Sequence, residues 1–518
     1  MNVGVVLAAS IAGYGLYKVY IYPFFLNPLR KLPGPKSAWW SPMGFLSYIM
    51  ASEPMEPQLA WMKQYGPIFA FRSLFNEYRC FVLSSTGIRY VLSSHASDFI
   101  KPKTTAKFLS DILGQGLVVV EGDIHKRQRA IMNPVFKVKQ INALIPTFVQ
   151  AANELKNVWT DHMNSLPSGT AFIIDTNAEM SKPTLDVIGR AGFGYEFDAC
   201  SPSSANSENV KLFTAFNTAL ESLTMSRFLL RHFANFLRWV IPSEIKARVA
   251  YEESLKVIRS SCAEILASRR REVELELADP DAVGSKAVDL MTALVKSNLA
   301  ETQSKNRLTD EEVMSQIMTF LFAGHETTSV ALTWTIYYLT RHPLIQQKLR
   351  QELVEQMPDS SDAPSEEYIT SQHTFLDAIA KESLRLQPPV PITLRTALKD
   401  VTIDGHFFPK GTTISLSPYV VHRMKEYWGD DAEEFKPQRW MGKEEGAVAE
   451  MGSFIPFIIG PRSCIGSRFA MLELKSMLAV YFRTFEFVET EEGKNVKRKL
   501  AITAKPSPAL YVEVRRAE

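Results

Sequence analysis

The sequence predicts a mainly α-helical protein with a minor β region and an N-terminal transmembrane helix, and three observations carry that reading. The first 17 residues contain no charged side chain. Through residues 124–349 apolar side chains recur mostly at helical spacing. Near residues 67–83, and again after Pro388, the pattern breaks into short β-like runs. Of 518 residues 46% are hydrophobic and 22% charged, so a sizeable core can form and a disordered or fibrous class is excluded. Lysine and arginine total 58 against 56 acidic residues, a net charge of +2. With no long basic block, no nucleic-acid partner is expected.

Residues 1–17 (MNVGVVLAASIAGYGLY) are followed by Lys18 and a second apolar, aromatic run that lasts until Arg30 and Lys31. A spanning helix needs about 20 mostly apolar residues, and one lysine near its end can snorkel to the interface. The positive n-region and small-residue cleavage site of a signal peptide are missing. Arg30, Lys31 and Lys36 gather after the segment, which by the positive-inside rule puts the body in the cytoplasm. Leu32-Pro33-Gly34-Pro35 cannot continue a helix and reads as a stiff hinge. Residues 1–31 are thus expected to form the anchor and hinge entry, and residues 32–518 a single domain, since no linker or repeat divides them.

In the body, residues 56–92 read as a short amphipathic stretch followed by β pieces at 67–71 and 79–83. The helical centre is expected to break into loops at 200–207 and in the acidic region 272–289. Residues 228–242 (FLLRHFANFLRWVIP) carry more aromatics than a core helix needs. They read as helix packing, or as a second contact with the bilayer near a substrate entrance. Thr309-Asp310-Glu311-Glu312 is a capping box that opens a helix running to Arg341, before Pro343. Short strands are expected at 391–398, 401–403 and 412–416, and a last helix at 465–484.

Four cysteines, Cys80, Cys200, Cys262 and Cys464, lack CxxC or CxxCH spacing. That pattern opposes a zinc knuckle, a thioredoxin-type site and covalent c-type haem, and suits a reducing compartment. Cys464 stands in Phe457-Ile458-Ile459-Gly460-Pro461-Arg462-Ser463-Cys464-Ile465-Gly466, where the last helix would begin. A helix N-terminus favours a thiolate, Gly460 and Gly466 permit a turn close to a flat cofactor, and Arg462 offers a cation suited to a propionate. A lone cysteine more often packs as a small hydrophobe, but Gly-Pro-Arg is a poor setting for core packing.

Ala323-Gly324-His325-Glu326-Thr327-Thr328 is a polar interruption in the apolar middle of the helix that starts at Thr309. Mid-helix glycine costs about 1 kcal/mol relative to alanine, so Gly324 asks for space for a ligand or for a local kink. Glu382 and Arg385 lie three apart on one helix face. Alone such a pair says little, but it falls between the Thr327 helix and the Cys464 loop, and Phe435-Lys436-Pro437-Gln438-Arg439-Trp440 follows.

Together these strings resemble the cytochrome P-450 superfamily. Residues 457–466 match every fixed position of its cysteine-ligand loop, FxxGxRxCxG, and Phe469-Ala470 continues the likeness. Residues 323–327 resemble its oxygen-binding helix, [AG]Gx[DE]T, while Glu382, Arg385 and Arg439 resemble its ExxR and PxRW elements. The likeness covers the whole chain, and HKRQRAIMNP and GPRSCIG are similar to fungal membrane-bound members.

The resemblance implies a P-450 fold, haem b (iron protoporphyrin IX) ligated by Cys464, and a monooxygenase, because thiolate ligation favours O–O cleavage. It implies that Thr327 holds dioxygen and its waters and that Glu326 feeds protons, with His325 at a variable position. Glu382, Arg385 and Arg439 become a buried structural network. Arg395 resembles a propionate contact, and so do His125 and Arg129, although His125 stands where the family's WxxxR motif has tryptophan. Phe457, Gly460, Gly466, Ala323 and Gly324 complete the implied cofactor surroundings.

No flavin- or NADPH-binding region is found, so the implied electron donor is a membrane-bound NADPH–cytochrome P-450 reductase, with cytochrome b5 an additional candidate. Lys126, Arg127, Arg468 and Lys475 are expected to offer it a basic face. Pocket walls are expected near 113–120, 320–323 and 390–393. Being apolar, they suit a lipophilic small molecule such as a terpenoid or other secondary metabolite, sterol or fatty acid. The expected location is the endoplasmic reticulum membrane, with a single-pass anchor and a cytoplasmic catalytic domain. Two alternatives stay open: a haem-thiolate isomerase or dehydratase that needs no reductase, and a non-catalytic haem-binding protein.

Overall fold

The computed structural model describes residues 3–167, 169–201, 208–221, 241–278, 289–300, 307–357, 363–442 and 452–517. Of the aromatic stretch 228–242, residues 228–240 lie outside the described residues, as do 202–207 and 279–288 of the two expected loops. The backbone divides into two compact units, Met1–Lys103 with Leu384–Cys464, and Thr104–Ser383 with Ile465–Glu518.

The first unit begins with the apolar helix. Val3–Leu16 is α-helical and widens into a π-helical stretch over Tyr17–Leu26. Pro23 lies inside that stretch, where it removes a backbone donor and so favours irregular winding. Within Val3–Leu26 an 18-residue window has a mean hydropathy of 1.4 and is unburied, and the helix is long and apolar enough to cross a membrane. Its last turns are held by the body: Asn76 Nδ2 donates to Val19 O at 3.1 Å, and the Arg72 guanidinium lies 3.8 Å from the centre of the Phe24 ring. Beyond the helix, Ala70 N donates to Pro33 O at 2.8 Å, which ties the proline hinge to the sheet.

The sheet of this unit joins the two β regions that the sequence pattern marks. Its strand order is Ile68–Arg72, Tyr78–Val82, Thr413–Leu416, Thr393–Ala397, Phe99–Ile100. Neighbours are antiparallel except Tyr78–Val82 with Thr413–Leu416. Phe69, Phe71 and Phe81 pack with Trp61 of the helix Glu56–Tyr65 to form its core. A small hairpin pairs Val401–Ile403 with His406–Phe408 through Asp404-Gly405, both at positive φ, as a tight two-residue hairpin turn requires.

The second unit is built around the helix Asp310–Arg341, buried along most of its 32 residues. Thr309 and Glu312 form the reciprocal capping box that the sequence marks. The helices Thr176–Val187 and Ser467–Thr484 pack against it, and Ser467–Thr484 also packs on Ile145–Ser165. Trp159 anchors that second contact, with Tyr481, Phe485 and Phe487 ring centres at 5.5, 5.6 and 6.2 Å. A three-stranded antiparallel sheet orders Phe172–Asp175, Tyr511–Arg516 and Phe485–Glu489. The helix Pro242–Ala278 runs through the start of the loop expected from residue 272. Arg269 pairs with Glu272 one turn on, and Arg270 with Asp310, so the charges support the helix here.

Candidate active site

Three of the four cysteines are sealed in the interior, where burial pushes the Cys80 and Cys262 thiols up to about 12 and Cys200 well above its ordinary range. Cys464 is exposed. It follows a short 3-10 turn, Gly460–Arg462, and precedes the 18-residue helix Ser467–Thr484. Its backbone N–H donates to Phe457 O at 2.9 Å, and Ser463 N to Gly460 O at 3.0 Å, so the loop is closed on itself. Gly460 has φ +80, and an added Cβ would lie 2.0 Å from Leu92 O, so only glycine fits. At Gly466, by contrast, an added Cβ would meet nothing within 4 Å. The half-buried Arg462 donates from Nη1 to Ala96 O at 2.9 Å.

Behind this loop two arginines hold the preceding chain through its carbonyls. Glu382 and Arg385 are both fully buried on the helix Phe375–Leu386. Arg385 donates to His422 O at 2.7 Å, Ala432 O at 2.5 Å and Glu434 O at 2.9 Å. Arg439 donates to Trp428 O at 3.3 Å and Asp431 O at 3.1 Å. Its guanidinium, after Lys436, also helps hold the Asp431 carboxyl below the usual carboxylate range. In the same unit Arg395 is 2% exposed on its strand and donates to Thr393 Oγ1 at 2.9 Å and Leu394 O at 2.8 Å.

On the central helix of the second unit, Phe320, Ala323, Gly324 and Thr327 stay half-buried among fully buried neighbours. Their spacing is i, i+3, i+4, i+7, so the helix keeps one partly open face. Thr327 Oγ1 donates to Ala323 O at 2.7 Å and presents its lone pairs on that face. Gly324 has a packing reason, since an added Cβ would come within 2.8 Å of the Ile188 side chain. Neither a kink nor ligand space is needed to explain it. His325 is buried, with Nδ1 2.7 Å from Leu321 O, and burial lowers its pKa. Glu326, 1% exposed, points elsewhere: its carboxylate accepts from Thr503 Oγ1 at 2.7 Å and pairs with Lys505 Nζ at 2.9 Å.

A model of the family described as Cytochrome P450 matches residues 33–512. Cytochrome P450 monooxygenase 128 of Postia placenta is 34% identical over 96% of this chain and 92% of its own length. Cytochrome P450 monooxygenase sphH of Aspergillus fumigatus is 31% identical over 95% and 91%, and FUM15 of Gibberella moniliformis 30% over 95% and 88%. The chain belongs to the cytochrome P450 family. It is a P450 monooxygenase, and the cofactor of that family is haem iron.

The residues present fit that group. Among the described residues no cluster of three or more His, Cys, Asp or Glu could hold a bare metal ion. One accessible thiol, that of Cys464, would be the residue to hold a haem iron and would donate electron density to it. The glycine at 466, which no neighbouring atom demands, leaves room beside that thiol. On the helix Gly122–Met132 the P450 chain carries His125, buried, and Arg129 one turn on, whose Nε donates to Asn133 Oδ1 at 3.0 Å.

The basic face expected for an electron donor loses Lys475. Lys475 is 2% exposed and bound to Asp377 Oδ1 at 2.9 Å and Ser371 O at 2.7 Å, and burial lowers its pKa. Arg127 is committed to Arg307 O at 2.6 Å and to Glu312. Lys126 is exposed beside Asp123, and Arg468 is held by Asn142. Side-chain type alone does not separate a solvated lysine from a buried ion pair.

Sequence reasoning missed an amide clamp on the loop 113–120 of this P450. Leu117 N donates to Gln316 Oε1 at 3.0 Å, Gln316 Nε2 to Gln128 Oε1 at 2.9 Å, and Gln128 Nε2 to Gln115 O at 3.0 Å. The one available signal was a glutamine at 316 within the apolar run of a buried helix.

Proposed function

We propose that this P450 is a membrane-anchored haem-thiolate monooxygenase that inserts one atom of O2 into a lipophilic small molecule, by hydroxylation or epoxidation, with electrons from NADPH through a separate reductase. The observation that carries the reading is Cys464, the exposed thiol among three buried ones, at the foot of a long helix in an FxxGxRxCxG loop. Cys464 is the iron ligand, and Arg462, Arg395, Arg129 and His125 are the residues that would meet the propionates of haem b. The bound group supplies oxygen activation, because its thiolate donates electron density that favours O–O cleavage.

The protein's own share is positioning and proton control. Thr327 Oγ1, anchored to Ala323 O, accepts or passes a proton on the partly open face of the central helix. The Glu326 carboxylate, next to Thr327 in sequence and held by Thr503 and Lys505, is the acid assigned to feed that relay. Apolar residues around Phe320 and in the loop 113–120 exclude water and suit a lipophilic substrate, a terpenoid or other secondary metabolite, sterol or fatty acid. The apolar helix Val3–Leu26 suits attachment to the endoplasmic reticulum with the body in the cytoplasm. Retention of Thr327 favours a monooxygenase over an isomerase or dehydratase.

The test is reconstitution of the purified protein with an NADPH reductase, lipophilic compounds and isotopically labelled O2. A product carrying one labelled atom, with substrate-dependent NADPH use, is expected. Product without NADPH use establishes an isomerase or dehydratase, and haem binding without turnover of any compound a non-catalytic protein.

A further inference from the structure

We propose that His422 is a positioning residue for the thiolate, joining the buried Arg385 to the backbone that leads into Cys464. The inference rests on Cys464 being the iron ligand. His422 is fully buried at the end of the short helix Pro418–Val421. Its Nε2 lies 2.8 Å from Ile455 N, and a backbone N–H can only donate, so Nε2 accepts and carries no proton. Its Nδ1 lies 2.9 Å from Arg385 O, and a carbonyl can only accept, so Nδ1 is the protonated nitrogen. The two partners select one tautomer and leave no acceptor for a second proton. The charged groups against the ring, Arg385 and Arg423, add to burial in holding its pKa down at about 3. Its other close neighbours are the rings of Phe454 and Trp428.

The connection runs both ways, because Arg385 Nη1 also donates to the carbonyl of His422 at 2.7 Å. From Ile455 it continues into the cysteine loop: Ile458 N donates to Ile455 O at 3.1 Å, and Cys464 N to Phe457 O at 2.9 Å. Between these bonds Ile458 has φ +49. A β-branched residue in the left-handed region is strained and persists only where the surroundings hold it. The imidazole's grip on Ile455 is such a hold, three residues upstream, and it fixes the entry to the turn that presents the thiolate.

Three variants of the full chain test this, read by amide hydrogen exchange across residues 453–464 and by the ferrous carbonyl spectrum, which separates a thiolate from a neutral thiol ligand. His422→Phe keeps the ring and loses both bonds. His422→Gln keeps an acceptor at the depth of Nε2, whereas the shorter His422→Asn reaches Arg385 O but not Ile455. In Phe and Asn variants the Ile455 amide should exchange about tenfold faster, the size of one lost buried hydrogen bond, and the neutral-thiol form should dominate. Gln should recover most of the thiolate form. Native exchange and a native carbonyl band in the Phe variant would overturn the proposal. If the Phe variant does not fold, equal behaviour of Gln and Asn overturns it. A wild-type protein without the thiolate band sinks the haem-thiolate assignment itself, a different failure from a native band that ignores residue 422.

Discussion

Lys505 Nζ lies 2.9 Å from the carboxylate of Glu326, so the acid beside Thr327 is held as an ion pair with a strand residue 179 positions away in sequence. Glu326 is 1% exposed while the Lys505 side chain is 25% exposed. Lys505→Met leaves a buried carboxylate without its counter-charge and should destabilise the protein by about 3 kcal/mol, the low end for breaking a buried pair. Adding Glu326→Gln should restore most of that loss in denaturant titrations. Additive effects of the two changes would show that the pair is not coupled.

Thr327→Ala removes the hydroxyl from the partly open helix face without touching the buried side of the helix. Haem content should be unchanged while NADPH use yields peroxide. Product per NADPH should fall by about tenfold or more, toward the 10²-fold scale of a positioned proton-transfer group. Stoichiometry of NADPH, peroxide and product measures this.

Cys464→Ser should abolish the thiolate-type carbonyl spectrum. Ser in place of Cys80, Cys200 or Cys262 should leave that spectrum intact at a stability cost of about 1–3 kcal/mol for burying an added hydroxyl. Only the 464 thiol should react with alkylating reagents in the haem-free folded protein, since the other three are buried and their thiols are pushed up in pKa.

Gln316→Leu cuts the clamp on Leu117 and leaves Gln128 without that donor. A loss of about 1–3 kcal/mol is expected for the unsatisfied groups, together with faster proteolysis within residues 113–120 and a broader product range. Limited digestion and product profiling check the two effects separately.

Acid should loosen the segment that Arg385 and Arg439 hold. Asp431 is kept below its ordinary value of 3.8 by Lys436 first and Arg439 next. A depressed carboxyl contributes stability above its unfolded pKa and loses it as pH falls through the lower folded value. The advantage of wild type over Asp431→Asn should therefore be constant near neutrality and vanish below about pH 4. Asp431 and its first partner Lys436 are partly exposed, so its size is at most about 1 kcal/mol.

Local signals were legible where one segment holds its own partners. Thr309 and Glu312 close the box that starts the central helix, and the Cys464 loop bonds back to Phe457. The strands Phe485–Glu489 and Tyr511–Arg516 were not foreseen, nor was Phe172–Asp175, whose ladder partner follows more than 300 residues later. The acidic run from 272 reads as a loop until Arg269 is seen pairing with Glu272. Cys464 and Thr327 stand out by motif and His422 does not, because its significance lies in two backbone atoms, Ile455 N and Arg385 O, that no side-chain pattern records.

The hold of Asn76 on Val19, and of Arg72 on Phe24, means that the N-terminal helix is no slack tether. The 14 residues Val3–Leu16 reach about 21 Å at helical rise, short of a hydrocarbon layer about 30 Å thick. A complete crossing must therefore use turns that the body also grips. In such a crossing, depth and tilt would be set together with the orientation of the first unit, as a keel is set to its hull.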